Sequence, residues 1–210
     1  MNTRSMNAQS MNEAMKATLH RRDVVNALLA DRGELLVVAG LGSTAWDITA
    51  AGDHDLSFPL WGAMGSSVMI GLGLALAKPK NRVLVITGDG EMLMGMGSLA
   101  TVGVQKPANL SVVVIDNERY GETGMQATHT ASGVDLAQIA KGCGFAHPRM
   151  VTDREGVAGL HKMVHGEAGP NFAQVKVLAE KIPLVLPPRE GALLKARFRR
   201  ALNGPSADAQ

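Results

Sequence analysis

The stretch from Val83 to Asn117 constrains this chain more than any other. Val83-Leu84-Val85-Ile86 is an apolar, β-branched run of strand length, and Gly88-Asp89-Gly90 interrupts it where a helix opens. A second apolar run, 110–116, then delivers Asn117. Strand, glycine turn, helix and second strand make a βα unit of a parallel sheet, which has to be covered on both faces.

The rest of the chain repeats that alternation. Val24, Val25, Leu28 and Leu29 recur at helical spacing within 20–30, and a strand is expected over 34–39. Further helices are expected over 45–51, 66–77, 92–102, 134–141 and 153–165, with strands over 82–87, 110–116 and 172–177. The fold class is therefore α/β, a three-layer α/β/α domain with a mainly parallel sheet. A chain of 210 residues is long enough for one well-buried core and short for two. The domain is placed at 18–182. Residues 1–17, with Met-Asn repeated at 1, 6 and 11, are expected to be a disordered leader. In 183–210, Pro183, Pro187 and Pro188 break the chain into an extended connector before a basic helix over 190–202.

Composition narrows the function classes. Lys plus Arg is 21 against 19 for Asp plus Glu, and much of the excess sits at Arg189, Lys195, Arg197, Arg199 and Arg200. Without interleaved aromatic residues that cluster reads as a solvated helix face, so no nucleic acid is expected as a partner. The single cysteine, Cys143, allows no internal disulfide and no cysteine-held iron–sulfur cluster, which points to a cytoplasmic chain. The apolar stretch 68–77 is too short to span a membrane, and no signal peptide is expected.

Ligands of open α/β sheets bind at the carboxyl ends of strands, where Gly88-Asp89-Gly90 falls. Gly88 and Gly90 let the backbone approach a ligand closely, and the amides of Gly90 and Glu91 suit a phosphate oxygen. Asp89 beside phosphate would repel it unless a cation lay between, so Asp89 reads as a ligand of a hard divalent ion, with Asn117 adding a neutral oxygen. Taken singly, Asp89 would be a helix cap and Asn117 a turn residue; paired after two apolar strands, they favour the metal. Gly40-Leu41-Gly42-Ser43-Thr44 also offers amides and hydroxyls at a helix start, and an ordinary capping turn explains that segment equally well.

Gly88-Asp89-Gly90 followed by Asp116-Asn117 resembles the diphosphate-binding motif of the thiamine diphosphate enzymes, in which GDG precedes Asn-Asn or Asp-Asn. The resemblance implies that Asp89, Asn117 and the main-chain carbonyl of Arg119 hold Mg2+. It also implies that Met64 bends the cofactor into its V shape, that the Gly62 carbonyl accepts from the aminopyrimidine, and that Ser43 touches the diphosphate. Gly88, Gly90, Glu91, Asn117 and Tyr120 complete the implied cofactor set. Glu91 stands where the family has a small residue, and its carboxylate is expected to stay outside the site while its amide contributes. The run from Tyr120 to Thr128 is similar to the YGSTGxQxT segment of phosphonopyruvate decarboxylases and sulfopyruvate decarboxylase β subunits, with Glu122 replacing the serine.

By that resemblance the expected function is decarboxylation of a small 2-oxo acid to CO2 and an aldehyde, with thiamine diphosphate and Mg2+ as cofactors. In the family the glutamate that activates the pyrimidine belongs to a second, similar domain. One domain bearing the diphosphate motif therefore implies a pyrimidine-binding partner subunit that carries the activating glutamate, with self-association into a heterotetramer or larger. The helix with Gly71 and Gly73 is expected to pack closely, either across that interface or on the chain's own sheet. The alternatives are a subunit of a carboligase, a subunit of a 2-oxo acid oxidoreductase, which the single cysteine argues against, and a non-catalytic binding module. His54 and His129 lie in expected loops near the site, where proton transfer is one role and a structural one the other; His20, His147, His161 and His165 look peripheral.

Overall fold

The structure, a computed structural model, describes residues 18–204, so the expected leader over 1–17 lies outside the described residues. Its strands are β1 Leu36–Ala39, β2 Ser57–Pro59, β3 Val83–Gly88, β4 Leu110–Asp116, β5 Arg119–Tyr120, β6 Gln126–Ala127, β7 Arg149–Val151 and β8 Asn171–Lys176. Its helices are α1 Arg21–Leu29, α2 Ser43–Ala50, α3 Ser67–Ala77, α4 Asp89–Met94, α5 Ser98–Gln105, α6 Leu136–Gly142, α7 Arg154–Gly166 and α8 Gly191–Asn203. Six strands form one sheet in the order β2-β1-β3-β4-β8-β7, every pair parallel, while β5 and β6 form a separate antiparallel hairpin.

Strand periodicity builds the three layers. Leu84, Ile86, Val113 and Ile115 face one side, into a core with Val25, Leu28, Ile48, Leu160 and Met163 of α1, α2 and α7. Val83, Val85, Val112 and Val114 face the other, against Val68, Leu72, Leu99, Val102 and Ala140 of α3, α5 and α6. Both faces of β3 and β4 are thus buried, which explains why these strands read as unbroken apolar runs. The chain leaves β1 through α2 to β2 on one side, then returns through α3 to β3 on the other. Adjacent strands β1 and β3 therefore send their next segments to opposite faces, and a crevice opens between their carboxyl ends.

Beyond β8 the chain runs across those carboxyl ends as an extended strap over 178–190. Leu178 N donates to Leu19 O at 2.9 Å, Arg22 Nη2 to Pro183 O at 2.9 Å, and Trp61 Nε1 to Pro188 O at 2.8 Å. The strap ends in α8, which packs on β2 through Phe198 and Phe58, ring centroids 5.4 Å apart. Arg197 holds both oxygens of Asp53, at 2.6 and 2.8 Å.

Two departures from the sequence expectation have physical causes. The single helix expected over 92–102 is two helices, α4 and α5, separated at Gly95-Met96-Gly97, and the first begins at Asp89. At the break, the Gly95 and Gly65 backbones touch so closely that a Cβ on Gly95 would lie 2.1 Å from the Gly65 carbonyl oxygen. The strands β2 and β7, three residues each, and the hairpin of two-residue strands are too short to show a two-residue period.

Candidate functional site

A cleft of about 510 Å³ opens at the carboxyl ends of β1, β3 and β4. Its floor is the β3–α4 turn, Gly88 to Glu91, with Asn117 and Ile115 from β4 beside it. Leu41 and Ser43 of the β1–α2 turn, with Met64, form one side, and the hairpin from Arg119 to Met125 forms another. Strap residues Glu180, Lys181, Ile182 and Leu184 complete the wall.

Asp89 and Asn117 both line the cleft because their strands are neighbours: Gly88 pairs with Ile115, so Asp89 leaves the sheet level with Asp116 and Asn117 follows one residue later. The Asp89 side chain is buried and fixed from below. Thr128 Oγ1 lies 2.5 Å and Thr130 Oγ1 3.2 Å from the same oxygen, Oδ2, so Oδ1 accepts from neither. Thr130 Oγ1 is also 2.8 Å from Oδ1 of the wholly buried Asp116. Asp116 Oδ2 receives Gln174 Nε2 at 2.5 Å and Lys176 Nζ at 2.8 Å. Lys176 also reaches Glu118 at 2.7 Å, so its charge is committed to Asp116 and Glu118. Asp89 makes no ion pair among the described residues. Burial, and then the charge of Asp116, push its carboxyl up to about 6, while the threonine hydrogen bonds pull the other way. Such a carboxylate is short of a cation.

Asn117 Oδ1 accepts from Arg119 N at 3.0 Å, an Asx turn that carries the chain out of β4 through Glu118 at φ 60°. Among the described residues no three His, Cys, Asp or Glu side chains gather as a metal cage. A carboxylate beside an amide oxygen and a nearby main-chain carbonyl is instead the kind of set that shares a hard ion with phosphate and water.

The glycines of the turn have specific neighbours. A Cβ on Gly90 would lie 2.5 Å from Cε1 of Tyr120, whose ring packs directly on that glycine. Glu91 departs from the expectation that its carboxylate stays outside the site: it is buried, lines the cleft, and accepts from Leu41 N at 3.0 Å through Oε2. The absence of a side chain at Gly40 makes room for it, since a Cβ there would lie 1.8 Å from Glu91 Oε2. Glu91 thus ties the β3–α4 turn to the β1–α2 turn, while its Oε1 has no hydrogen-bond partner.

Of the two hydroxyls in the β1–α2 turn, Ser43 lines the cleft, whereas Thr44 turns inward and donates to Gly40 O at 2.8 Å. Met64 reaches the cleft, but Gly62 does not: it lies exposed, with nothing within 4 Å of where a Cβ would stand, and Ala63, at φ 58°, turns the chain inward only after it. No histidine lines the cleft. His54 Nδ1 accepts from Leu56 N at 3.0 Å, and His129 opens a short 3-10 helix on the exposed surface. Sequence reasoning missed the support beneath Asp89, formed by Thr128, Thr130, Asp116, Gln174 and Lys176, and it missed the strap. Gln174 and Lys176 inside an otherwise apolar strand were the available signal, because a buried polar residue needs a partner.

Comparison with known proteins gives the chain its relatives. The family model described as "Thiamine pyrophosphate enzyme, C-terminal TPP binding domain" matches residues 43–175. Sulfopyruvate decarboxylase subunit beta of Methanocaldococcus jannaschii is 42% identical over 126 residues, which cover 60% of this chain and 66% of that protein. Its counterpart in Methanococcus maripaludis is 34% identical over 187 residues, covering 88% of this chain and 98% of that one. A solved structure from Mycobacterium smegmatis, described as a thiamin diphosphate-dependent enzyme, shares the fold with a TM-score of 0.65 at 22% identity, over 77% of this chain and 32% of that chain. The chain spans about a third of that solved protein. On the match over residues 43–175, the chain belongs to the thiamine pyrophosphate enzyme family, of which it carries the C-terminal TPP binding domain.

Proposed function

We propose that this chain is the diphosphate-binding subunit of a thiamine diphosphate-dependent 2-oxo acid decarboxylase, of the kind that acts on sulfopyruvate or phosphonopyruvate and releases CO2 and an aldehyde. The observation that carries this is the buried, cation-short Asp89 beside Asn117 at the floor of a cleft between β1 and β3. The identity to sulfopyruvate decarboxylase β subunits supports the choice of reaction.

In this reading Asp89, Asn117 and the Arg119 carbonyl hold Mg2+, which offsets the charge that Asp89 alone would turn against a diphosphate. The amides of Gly90 and Glu91 and the Ser43 hydroxyl receive phosphate oxygens, and Gly88 leaves the backbone open to them. Met64 gives the cofactor an apolar support, and Tyr120, seated on Gly90, walls the diphosphate end. Bound thiamine diphosphate supplies the nucleophile and the electron sink for loss of CO2. Leu41, Ile115, Ile182 and Leu184 line the cleft with apolar surface and keep water from the reacting groups.

Of the cleft glutamates, Glu91 holds Leu41 N and Glu180 holds His20 at 2.9 Å, while Glu122 lies exposed beside Gly42. The glutamate that activates the pyrimidine comes from a partner subunit carrying the pyrimidine-binding half. Helix α3 is suited to meet it. Gly71 faces inward, where a Cβ would lie 2.2 Å from Val85, whereas Met69, Gly73 and Leu76 share an exposed stripe. Assembly of two such pairs or more makes the heterotetramer or larger oligomer.

The test is cofactor binding by the chain mixed with its pyrimidine-binding partner. Mg2+-dependent binding of thiamine diphosphate is expected, and Asp89→Ala abolishes it together with sulfopyruvate decarboxylation. A mixture that shows no such binding refutes the reading, and full-rate decarboxylation by this chain alone refutes the split site.

A further inference from the structure

Three cationic side chains line the cleft: Arg21, Arg119 and Lys181. Arg21 is buried and committed, ion-paired to Asp47 and donating to Ser43 O at 3.1 Å. Arg119 Nη1 donates to Glu118 O at 2.8 Å. Lys181 has neither hydrogen bond nor ion pair among the described residues, whereas Arg119, also without an ion pair, has its guanidinium drawn to the Glu118 carbonyl.

The backbone at Lys181 is nonetheless held. One residue before it, Glu180 takes His20 Nδ1 at 2.9 Å; two residues after it, Pro183 O takes Arg22 Nη2 at 2.9 Å. Arg22 is itself braced by Asp47 at 3.2 Å. The strap is therefore pinned to the start of α1 on both sides of Lys181, and Ile182 and Leu184 beside it present apolar surface to the cleft. An exposed ammonium carried on a pinned backbone at the wall of the same cleft suits a second anion, beyond the one proposed for the glycine turns.

We propose that Lys181 receives the sulfonate or phosphonate of a dianionic 2-oxo acid, and that it sets the preference for such acids over those with an uncharged tail. This rests on the decarboxylase reading and adds the residue that selects its substrate. The ammonium attracts the remote acidic group, and the Glu180 and Pro183 anchors hold the backbone that carries it.

The experiment uses the chain assembled with its pyrimidine-binding partner, as wild type, Lys181→Ala and Lys181→Arg. Three quantities are read: half-saturation by thiamine diphosphate with Mg2+, calorimetric affinity for the unreactive 3-sulfopropionate, and KM for sulfopyruvate against 2-oxobutyrate. Lys181→Ala is expected to weaken 3-sulfopropionate binding and raise KM for sulfopyruvate about ten- to hundredfold. KM for 2-oxobutyrate and cofactor half-saturation stay as in wild type, and Lys181→Arg restores most of the loss. Equal effects on both 2-oxo acids, a changed cofactor half-saturation, or an unchanged KM for sulfopyruvate would overturn the assignment. A wild-type assembly that binds no cofactor overturns the decarboxylase reading and this inference with it.

Discussion

Gly95→Ala tests how the cleft is kept in shape. A Cβ at this position would lie 2.1 Å from the Gly65 carbonyl oxygen and 2.8 Å from its carbon. Both are backbone atoms, so no rotamer change relieves the overlap, and the two segments have to part by roughly 1 Å to reach an ordinary carbon–oxygen contact. Overpacking of this kind costs about 1–3 kcal/mol. Removing glycine's freedom in the unfolded chain offsets about 0.5–1 kcal/mol of that, because φ of −100° at Gly95 is open to alanine. The net loss, up to about 2.5 kcal/mol, lowers the midpoint of thermal unfolding by up to about 10 °C for a chain of this size. Gly65 cannot yield without carrying Met64, so cofactor affinity falls as well. Gly73→Ala is the control with the opposite sign: nothing lies within 4 Å of its would-be Cβ on α3. There the substitution stabilises by about 0.5–1 kcal/mol. Thermal unfolding followed by circular dichroism reads both. A Gly95→Ala protein that melts at or above wild type would refute the close approach and its role in placing Met64.

Glu91→Ala removes the acceptor of Leu41 N and is expected to cost about 1.5–3 kcal/mol and to weaken cofactor binding. Glu91→Gln keeps an oxygen acceptor and should recover most of the loss in the same melting and titration assays; equal behaviour of the two variants would show that the bond does not hold the turn. Arg197→Ala is expected to loosen α8 by about 0.5–1 kcal/mol at neutral pH, the range of a partly exposed pair. Hydrogen bonding from Arg197 holds Asp53 below the usual carboxylate range. A folded-state pKa below the unfolded one adds stability above the ordinary aspartate range, and that stability is lost as the pH falls through the depressed value. The melting gap between wild type and Arg197→Ala therefore closes in acid, and a gap that persists there would assign the loss to something other than the pair.

The sheet and the Gly88-Asp89-Gly90 turn were legible because their causes are local. Val83 to Ile86 and Val112 to Ile115 read as strands buried on both faces, and Asp89 paired with Asn117 after two such strands favours a ligand site over a plain helix cap. What escaped depends on approaches between segments far apart in sequence. Nothing near Gly95 announces that Gly65 lies against it, so 92–102 reads as one helix. Glu91 looks solvent-bound until Gly40 is seen to vacate the space it fills. Gly62 and Met64 are only two positions apart, yet the backbone turn at Ala63 between them sends only Met64 into the cleft. The strap reads as a proline-broken connector, and only the bonds to Leu19, Arg22 and Trp61 make it a wall.

The order of strands in the sheet has a consequence for how the molecule is made. β8 follows every other strand in sequence, yet it lies inside the sheet, with β4 on one side and β7 on the other. β7 pairs with no other strand, so it stays outside the sheet until β8 arrives. During that interval β4 offers a seven-residue open backbone edge, with Val112, Val113 and Val114 at its centre. Exposed edges of this kind recruit strands from other molecules. Competition between β8 and a neighbouring chain for that edge is decided by concentration and by the speed of insertion rather than by the stability of the finished sheet.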